Sequence, residues 1–109
     1  MQEKVNFRYS DTDFIAYLTT IGCKYNNIEI VKTQNGKLKA FLYFEDLKDV
    51  LLKLYNDYKN GKAIVDPFDY SINRRKINKL IKVELLKFQV NNLDRNQLIR
   101  EETNRINSV

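Results

Sequence analysis

The sequence predicts a single small α+β domain in which a small antiparallel sheet packs with helices. Three observations lead to this prediction. The chain has 109 residues, which is the size of one domain. One segment alternates apolar and polar residues on both sides of an Asn-Gly pair, and other segments carry apolar residues at helical spacing. No apolar run approaches the roughly 20 residues of a membrane span, so no membrane partner is expected.

A capping motif and a turn predict the first two elements. Ser10–Asp13 resembles a capping box with Asp in place of Glu, and apolar residues then recur at helical spacing as far as Gly22. A first helix is therefore expected at about 11–21. Further along, apolar and polar residues alternate around Asn35–Gly36, the dipeptide typical of a tight hairpin turn. We expect a β-hairpin at this turn.

A second helix and a short third strand are expected after the hairpin. One apolar stripe predicts the helix at about 46–59. The run Lys62–Val65 favours β structure and is ended by Asp66–Pro67. We therefore expect this run to add an edge strand to the hairpin.

The C-terminal part of the chain is predicted to form a long helix and a short last helix. The long helix begins between Pro67 and Ser71 and continues to about Val90. Asn91–Asn92 is expected to break it, and another capping box starts a last helix through about Asn107. Because this last helix has few apolar residues to bury, we expect it to dock on another chain or to fray. A homodimer or a higher even-numbered oligomer is therefore predicted.

Two polar residues interrupt the apolar face of the long helix. On a helical wheel Arg74 falls between Ile81 and Leu85, and Asn78 follows one turn later. An arginine buried without a partner costs several kcal/mol. We therefore expect Arg74 to contact carboxylate, carbonyl or ligand oxygens.

The residue types argue against catalysis. The chain has no histidine and one cysteine, Cys23, so no intramolecular disulfide and no metal site are expected. Cys23 is predicted to pack as a small apolar residue. The glycines have turn or cap roles, so no phosphate loop is predicted, and the Asp11 and Asp13 pair is interpreted as helix capping. We expect neither an enzyme nor a bound cofactor.

The net charge of +5 is unevenly distributed. Residues 1–70 contain ten Lys/Arg and ten Asp/Glu, whereas residues 71–109 contain nine and four. A local positive field indicates an anionic partner such as a nucleotide, a nucleic acid or an acidic protein. The alternative is that these lysines and arginines only keep an exposed helix soluble.

The segment 66–78 combines residue types that can bind a nucleotide. Aromatic rings can stack on a base, arginines match phosphate oxygens, and an amide can bond to ribose or base edges. The candidate residues are Phe68, Tyr70, Arg74, Arg75 and Asn78. The alternative is that Phe68 and Tyr70 form an apolar staple at the helix start and the arginines are solvated.

Four segments resemble a known family: Tyr9–Leu18, Lys39–Phe44, Tyr58–Gly61 and Tyr70–Arg75. In these residues and in the order of its elements, the chain resembles the phage-encoded Thoeris anti-defence sponges of the first type. That resemblance implies a protein without turnover that sequesters a cyclic ADP-ribose signal made by a TIR-domain enzyme. It also implies a homodimer, or a hexamer, with the ligand held at the dimer interface.

The resemblance also implies roles for particular residues. Phe68 is similar to an aromatic residue that stacks on adenine, and Asn78 to an asparagine beside it. Arg95 is similar to an arginine that holds the pyrophosphate. The companion arginine expected one turn later is Ile99 in this chain, with Arg100 adjacent, so the sequence departs from the family pattern there.

Two other functions are kept as alternatives. One is a phage nucleic-acid-binding accessory protein, although no reading motif is visible, so nucleic acid is the less expected partner. The other is an inhibitor of a bacterial nuclease complex, although such inhibitors are usually acidic and this chain is basic. No apolar segment of a secretory signal follows the N-terminus, so the cytoplasm of the infected bacterial host is the expected location.

Overall fold

The protein is described by a computed structural model that covers the backbone of residues 3–107 and the side chains of residues 3–91. Three strands and three helices follow in the order β1 (Lys4–Tyr9), α1 (Thr12–Thr20), β2 (Tyr25–Lys32), β3 (Leu38–Leu47), α2 (Lys48–Lys59) and α3 (Pro67–Asn107). This is an α+β fold, which confirms the predicted class. In the described part of the chain, no helix combines the length and apolar character needed to cross a membrane.

The three strands form one antiparallel sheet in the order β1-β3-β2. The predicted hairpin is confirmed: β2 pairs with β3 across a turn in which Gly36 donates its N–H to the carbonyl of Thr33 at 2.9 Å. Gly36 has a φ of 80°, a backbone conformation that favours glycine.

The third strand is not the predicted one. Lys62–Val65 lies in the connection between α2 and α3, whereas β1 at the N-terminus pairs with β3. In β1 the half-buried residues Val5, Phe7 and Tyr9 alternate with exposed ones, so one face of the strand packs on the core. The strand beside β3 comes from a distant part of the chain, and the local pattern of residues 62–65 holds no information on that pairing.

Helix α1 is the centre of the molecule. The Asp11 carboxylate caps it by accepting hydrogen bonds from the N–H groups of Asp13 and Phe14 at 3.0 and 3.3 Å. All five residues from Phe14 to Leu18 are buried. A helix that is buried on every side must be enclosed by other elements, and the sheet, α2 and α3 all pack around it.

Helix α3 begins at Pro67, within the predicted range. Asp66 caps it by accepting hydrogen bonds from the N–H groups of Phe68 and Asp69 at 2.9 and 3.1 Å. The predicted break at Asn91–Asn92 and the separate last helix were wrong, because α3 continues to Asn107. Asparagine in a helix costs less than about 1 kcal/mol, and the chain has no glycine or proline after Pro67 that would end the helix.

Burial in α2 gives a direct test of the core. Leu51 is 0% exposed and lies in the central cluster, while its neighbour Leu52 is 45% exposed. Leu51→Ala is expected to lower the free energy of unfolding by about 2–5 kcal/mol, because it leaves a cavity. Leu52→Ala is the matched control and should change it by about 0.5 kcal/mol. Urea unfolding measures both; equal losses would contradict this packing.

Candidate ligand-binding site

A pocket lined by three tyrosines lies beside the start of α3. Its volume is about 210 Å³, and we call it the tyrosine pocket. The residues that line it are Tyr17, Tyr58, Gly61, Ala63, Val65 and Tyr70. The rings of Tyr17 and Tyr58 are nearly parallel, at 22°, with their centroids 6.3 Å apart. Largely apolar pockets with a few convergent polar groups are the usual binding sites for small molecules.

Oxygen atoms of Asp11 and Asp13, at the start of α1, accept hydrogen bonds from two of the pocket tyrosines and from Arg74. The Tyr58 hydroxyl donates to Asp11 Oδ2 at 3.2 Å. The Tyr70 hydroxyl donates to the backbone carbonyl of Asp13 at 3.5 Å. Arg74 Nε donates to Asp13 Oδ1 at 2.8 Å. Asp11 therefore caps α1, as predicted, whereas the Asp13 carboxylate forms an ion pair instead.

The phenol groups stay neutral well above neutral pH. Burial, followed by the charge of Asp11, raises the pKa of Tyr58 to about 12. Burial also raises the pKa of Tyr70, with a further contribution from Asp13, and that of Tyr17, with a further contribution from Asp57. Each hydroxyl can therefore donate a hydrogen bond, and none is poised to act as a general base.

Arg74 does not face the core as the helical wheel predicted. Its side chain is 54% exposed and is paired with Asp13, whose side chain is 47% exposed. Asp13 supplies the carboxylate that the prediction required. The long arginine side chain reaches it at the edge of the α1–α3 contact, where the guanidinium keeps contact with water.

Phe68 has no packing partner among the described aromatic rings, and its exposed fraction is 71%. Tyr70, two residues later, packs against the core cluster. Only Tyr70 therefore fits the apolar staple that was the alternative interpretation of these two rings.

The predicted site residues lie on two sides of α3. Tyr70, Arg74 and Asn78 follow one another at intervals of four residues and form one row. Phe68 and Arg75 share another side, because seven residues make about two turns. Asn78 is exposed, and the only described hydrogen bond of the Arg75 side chain is to Ser71 Oγ at 3.4 Å.

Phe68 and Asn78 do not meet in one chain. They are ten residues apart, or about 15 Å along the helix axis. They therefore cannot hold one base together within a chain, and a ligand role for Phe68 stays a prediction. Arg95 and Arg100 lie outside the residues whose side chains the structure describes.

Sequence analysis missed most of the pocket. Tyr17, Tyr58, Ala63 and Val65 were assigned only to predicted elements. The one available signal was the seven tyrosines in a chain of 109 residues. Tyrosine has an apolar body and a polar end, so it is common where a protein binds a ligand.

Cys23 packs against the core cluster, as predicted. Burial, followed by the charge of Asp46, raises the pKa of its thiol, which therefore stays protonated and is a poor nucleophile. Within residues 3–91, no group of three or more His, Cys, Asp or Glu side chains could hold a metal ion.

Comparisons with models of protein families, with curated proteins and with solved structures find no match to this chain. Function must therefore be inferred from the residues and from their geometry.

The Arg74–Asp13 ion pair can be tested without any ligand. Because both side chains are about half exposed, Arg74→Ala is expected to lower the free energy of unfolding by no more than about 1 kcal/mol. A double-mutant cycle with Asp13→Ala, measured by thermal unfolding, isolates the pair. Arg75→Ala, which removes no ion pair, is the control. A coupling of several kcal/mol would mean that Arg74 is a buried structural residue instead.

Proposed function

We propose that this protein is a non-catalytic phage counter-defence protein that binds and sequesters a cyclic nucleotide signal. The signal is a cyclic ADP-ribose isomer made by a TIR-domain enzyme, and its removal inhibits Thoeris immunity. The protein acts in the cytoplasm of the infected bacterial host as a homodimer or a higher even-numbered oligomer. The supporting observation is that three tyrosines form a pocket beside Arg74.

The pocket has the chemistry that a nucleobase requires. Aromatic rings can stack on the flat face of any base, and each stacked base contributes roughly 1–3 kcal/mol to the binding free energy. The Asp11 and Asp13 oxygens can accept hydrogen bonds from the exocyclic amino group of an adenine. The base therefore occupies the tyrosine pocket in this proposal.

Arg74 and Asn78 supply the polar contacts beyond the pocket. A guanidinium can bind two phosphate oxygens at once, which makes arginine well suited to a pyrophosphate. Asn78 lies one turn further along the same row and can bond to ribose hydroxyls. The phosphate replaces Asp13 as the partner of Arg74, and this exchange costs little because the ion pair is half exposed.

Sequestration requires only tight binding, and the described residues offer groups that bind. The tyrosines are neutral, Arg74 is a permanent cation, and Cys23 is a half-buried thiol with a raised pKa. The similarity of four segments to the Thoeris anti-defence sponges supports the same function.

A substitution that fills the pocket tests the proposal. Ala63→Phe should weaken binding of a cyclic ADP-ribose isomer, measured by titration calorimetry, by roughly 10-fold or more, because the new ring occupies the space of the base. Ile64→Phe adds a ring at a position that is 89% exposed and is the matched control. Arg74→Ala should also weaken binding, by about 1.5–3 kcal/mol, because it removes a charge-assisted hydrogen bond.

The dependence on salt separates this proposal from the nucleic-acid alternative. Binding of one pyrophosphate in a pocket should weaken only modestly with salt, whereas nucleic acid releases many counterions and its binding weakens steeply. Equal affinities of Ala63→Phe and wild type, or a steep salt dependence together with a gel shift of random DNA, would contradict the proposal.

A further inference from the structure

The face of the sheet that points away from the core carries two aromatic rings on its central strand. Side chains alternate between the two faces of a strand, and in β3 the residues Ala40, Leu42 and Phe44 are buried. Phe41 and Tyr43 therefore lie on the opposite face, which we call the open face. Both are half-buried, and they are two residues apart, or about 7 Å along the strand.

Polar contacts cross the open face beside these rings. The Arg8 guanidinium of β1 lies 4.3 Å from the centre of the Phe41 ring, and its Nη1 donates to Glu29 Oε1 of β2 at 3.0 Å. The Tyr43 hydroxyl donates to Glu29 Oε2 at 3.2 Å. Arg8 and Glu29 neutralise each other, and their side chains are 49% and 42% exposed. These contacts are therefore weak ones that a ligand can replace.

The hairpin end of the open face is positively charged. Lys39 Nζ lies 5.6 Å from the centre of the Phe41 ring. Lys32 and Lys37 flank the turn between β2 and β3. All three lysines are exposed, and none forms an ion pair with the described part of the chain. Glu45 lies near the other end of β3, so the positive field is concentrated at the hairpin.

We infer that the open face binds single-stranded nucleic acid, with neighbouring bases stacked on Phe41 and Tyr43 and with phosphates bound by Arg8 and Lys39. Aromatic rings beside cations are the usual platform for unpaired bases and their backbone. The inference goes beyond the proposed function and does not rest on it. The tyrosine pocket is lined by residues of the helices and of the connection between α2 and α3, which lie on the other side of the sheet.

Binding would exchange weak contacts for stronger ones. A base that stacks on Phe41 displaces the Arg8 guanidinium, which can then bind a phosphate of the same strand. An exposed ion pair and an exposed cation–π contact each contribute less than a stacked base.

The two rings decide between kinds of partner. An acidic protein would use the lysines and leave Phe41 and Tyr43 without a role. A duplex stacks its bases on one another and presents none of their faces. A single strand is the anion that uses both the rings and the cations of the open face.

Fluorescence anisotropy of the full chain with a labelled oligo(A) RNA tests the inference. The chain should bind this RNA, and base-paired DNA should compete poorly. Phe41→Leu should weaken binding by roughly 5-fold or more, because it removes a stacking ring and keeps an apolar side chain. Tyr55→Leu removes a ring of α2 that is 36% exposed and is the matched control.

An exposed lysine gives a second variant that does not threaten the fold. Lys39→Gln should weaken RNA binding and should reduce the slope of log affinity against log salt by roughly 0.7, because one phosphate contact is lost. Lys53→Gln, at an exposed position of α2, is the charge-matched control and should leave both unchanged.

Several results would overturn the inference. One is a wild-type chain that does not bind the RNA at micromolar concentrations. Another is an equal effect of Phe41→Leu and Tyr55→Leu. A third is equal competition by polyglutamate or by base-paired DNA, because negative charge alone would then explain binding. Phe41→Leu should also bind a cyclic ADP-ribose isomer as wild type does, and a loss there would mean that the two sites are not separate.

Discussion

Burial of the middle of α1, from Phe14 to Leu18, is the constraint on which the rest of the structure depends. Phe14, Ile15, Ala16 and Leu18 are all 0% exposed, so the middle of this nine-residue helix has no face open to solvent. The apolar face of the sheet covers one side, and α2 and α3 cover the others. At its first turn Asp11 and Asp13 remain accessible, and they contact Tyr58 from α2 and Tyr70 and Arg74 from α3. The candidate site is thus located where the central helix begins.

Helix α3 contributes Tyr70 and Arg74 to the candidate site. Its inner side is held by Ile77 against the core. Tyr70, the first residue of the row that continues to Arg74 and Asn78, lines the tyrosine pocket. On the opposite side of the helix, Phe68, Val83, Leu86 and Val90 are exposed.

Local chemistry could be predicted from the sequence, and contacts between distant segments could not. The Asn35–Gly36 turn, a cap at the start of α1 and the start of α3 each depend on a few adjacent residues, and all three were predicted. The cap itself is Asp11 and not Ser10, the first residue of the predicted capping box. The pairing of β1 with β3, the meeting of Tyr17, Tyr58 and Tyr70, and the choice of Asp13 as the partner of Arg74 depend on how helices and strands pack. The periodicity of one segment contains no information on any of these.

We propose that the protein binds a cyclic ADP-ribose isomer, and this ligand can be recovered from the protein directly. The most direct measurement starts by incubating the purified chain with lysate from cells that contain an active TIR-domain enzyme. Free small molecules are then removed and the protein is denatured by heat. Mass spectrometry identifies the compounds that are released. We expect release of an intact cyclic ADP-ribose isomer, and none when the lysate comes from cells with an inactive enzyme. Release of linear ADP-ribose, of oligonucleotides or of no nucleotide would contradict it.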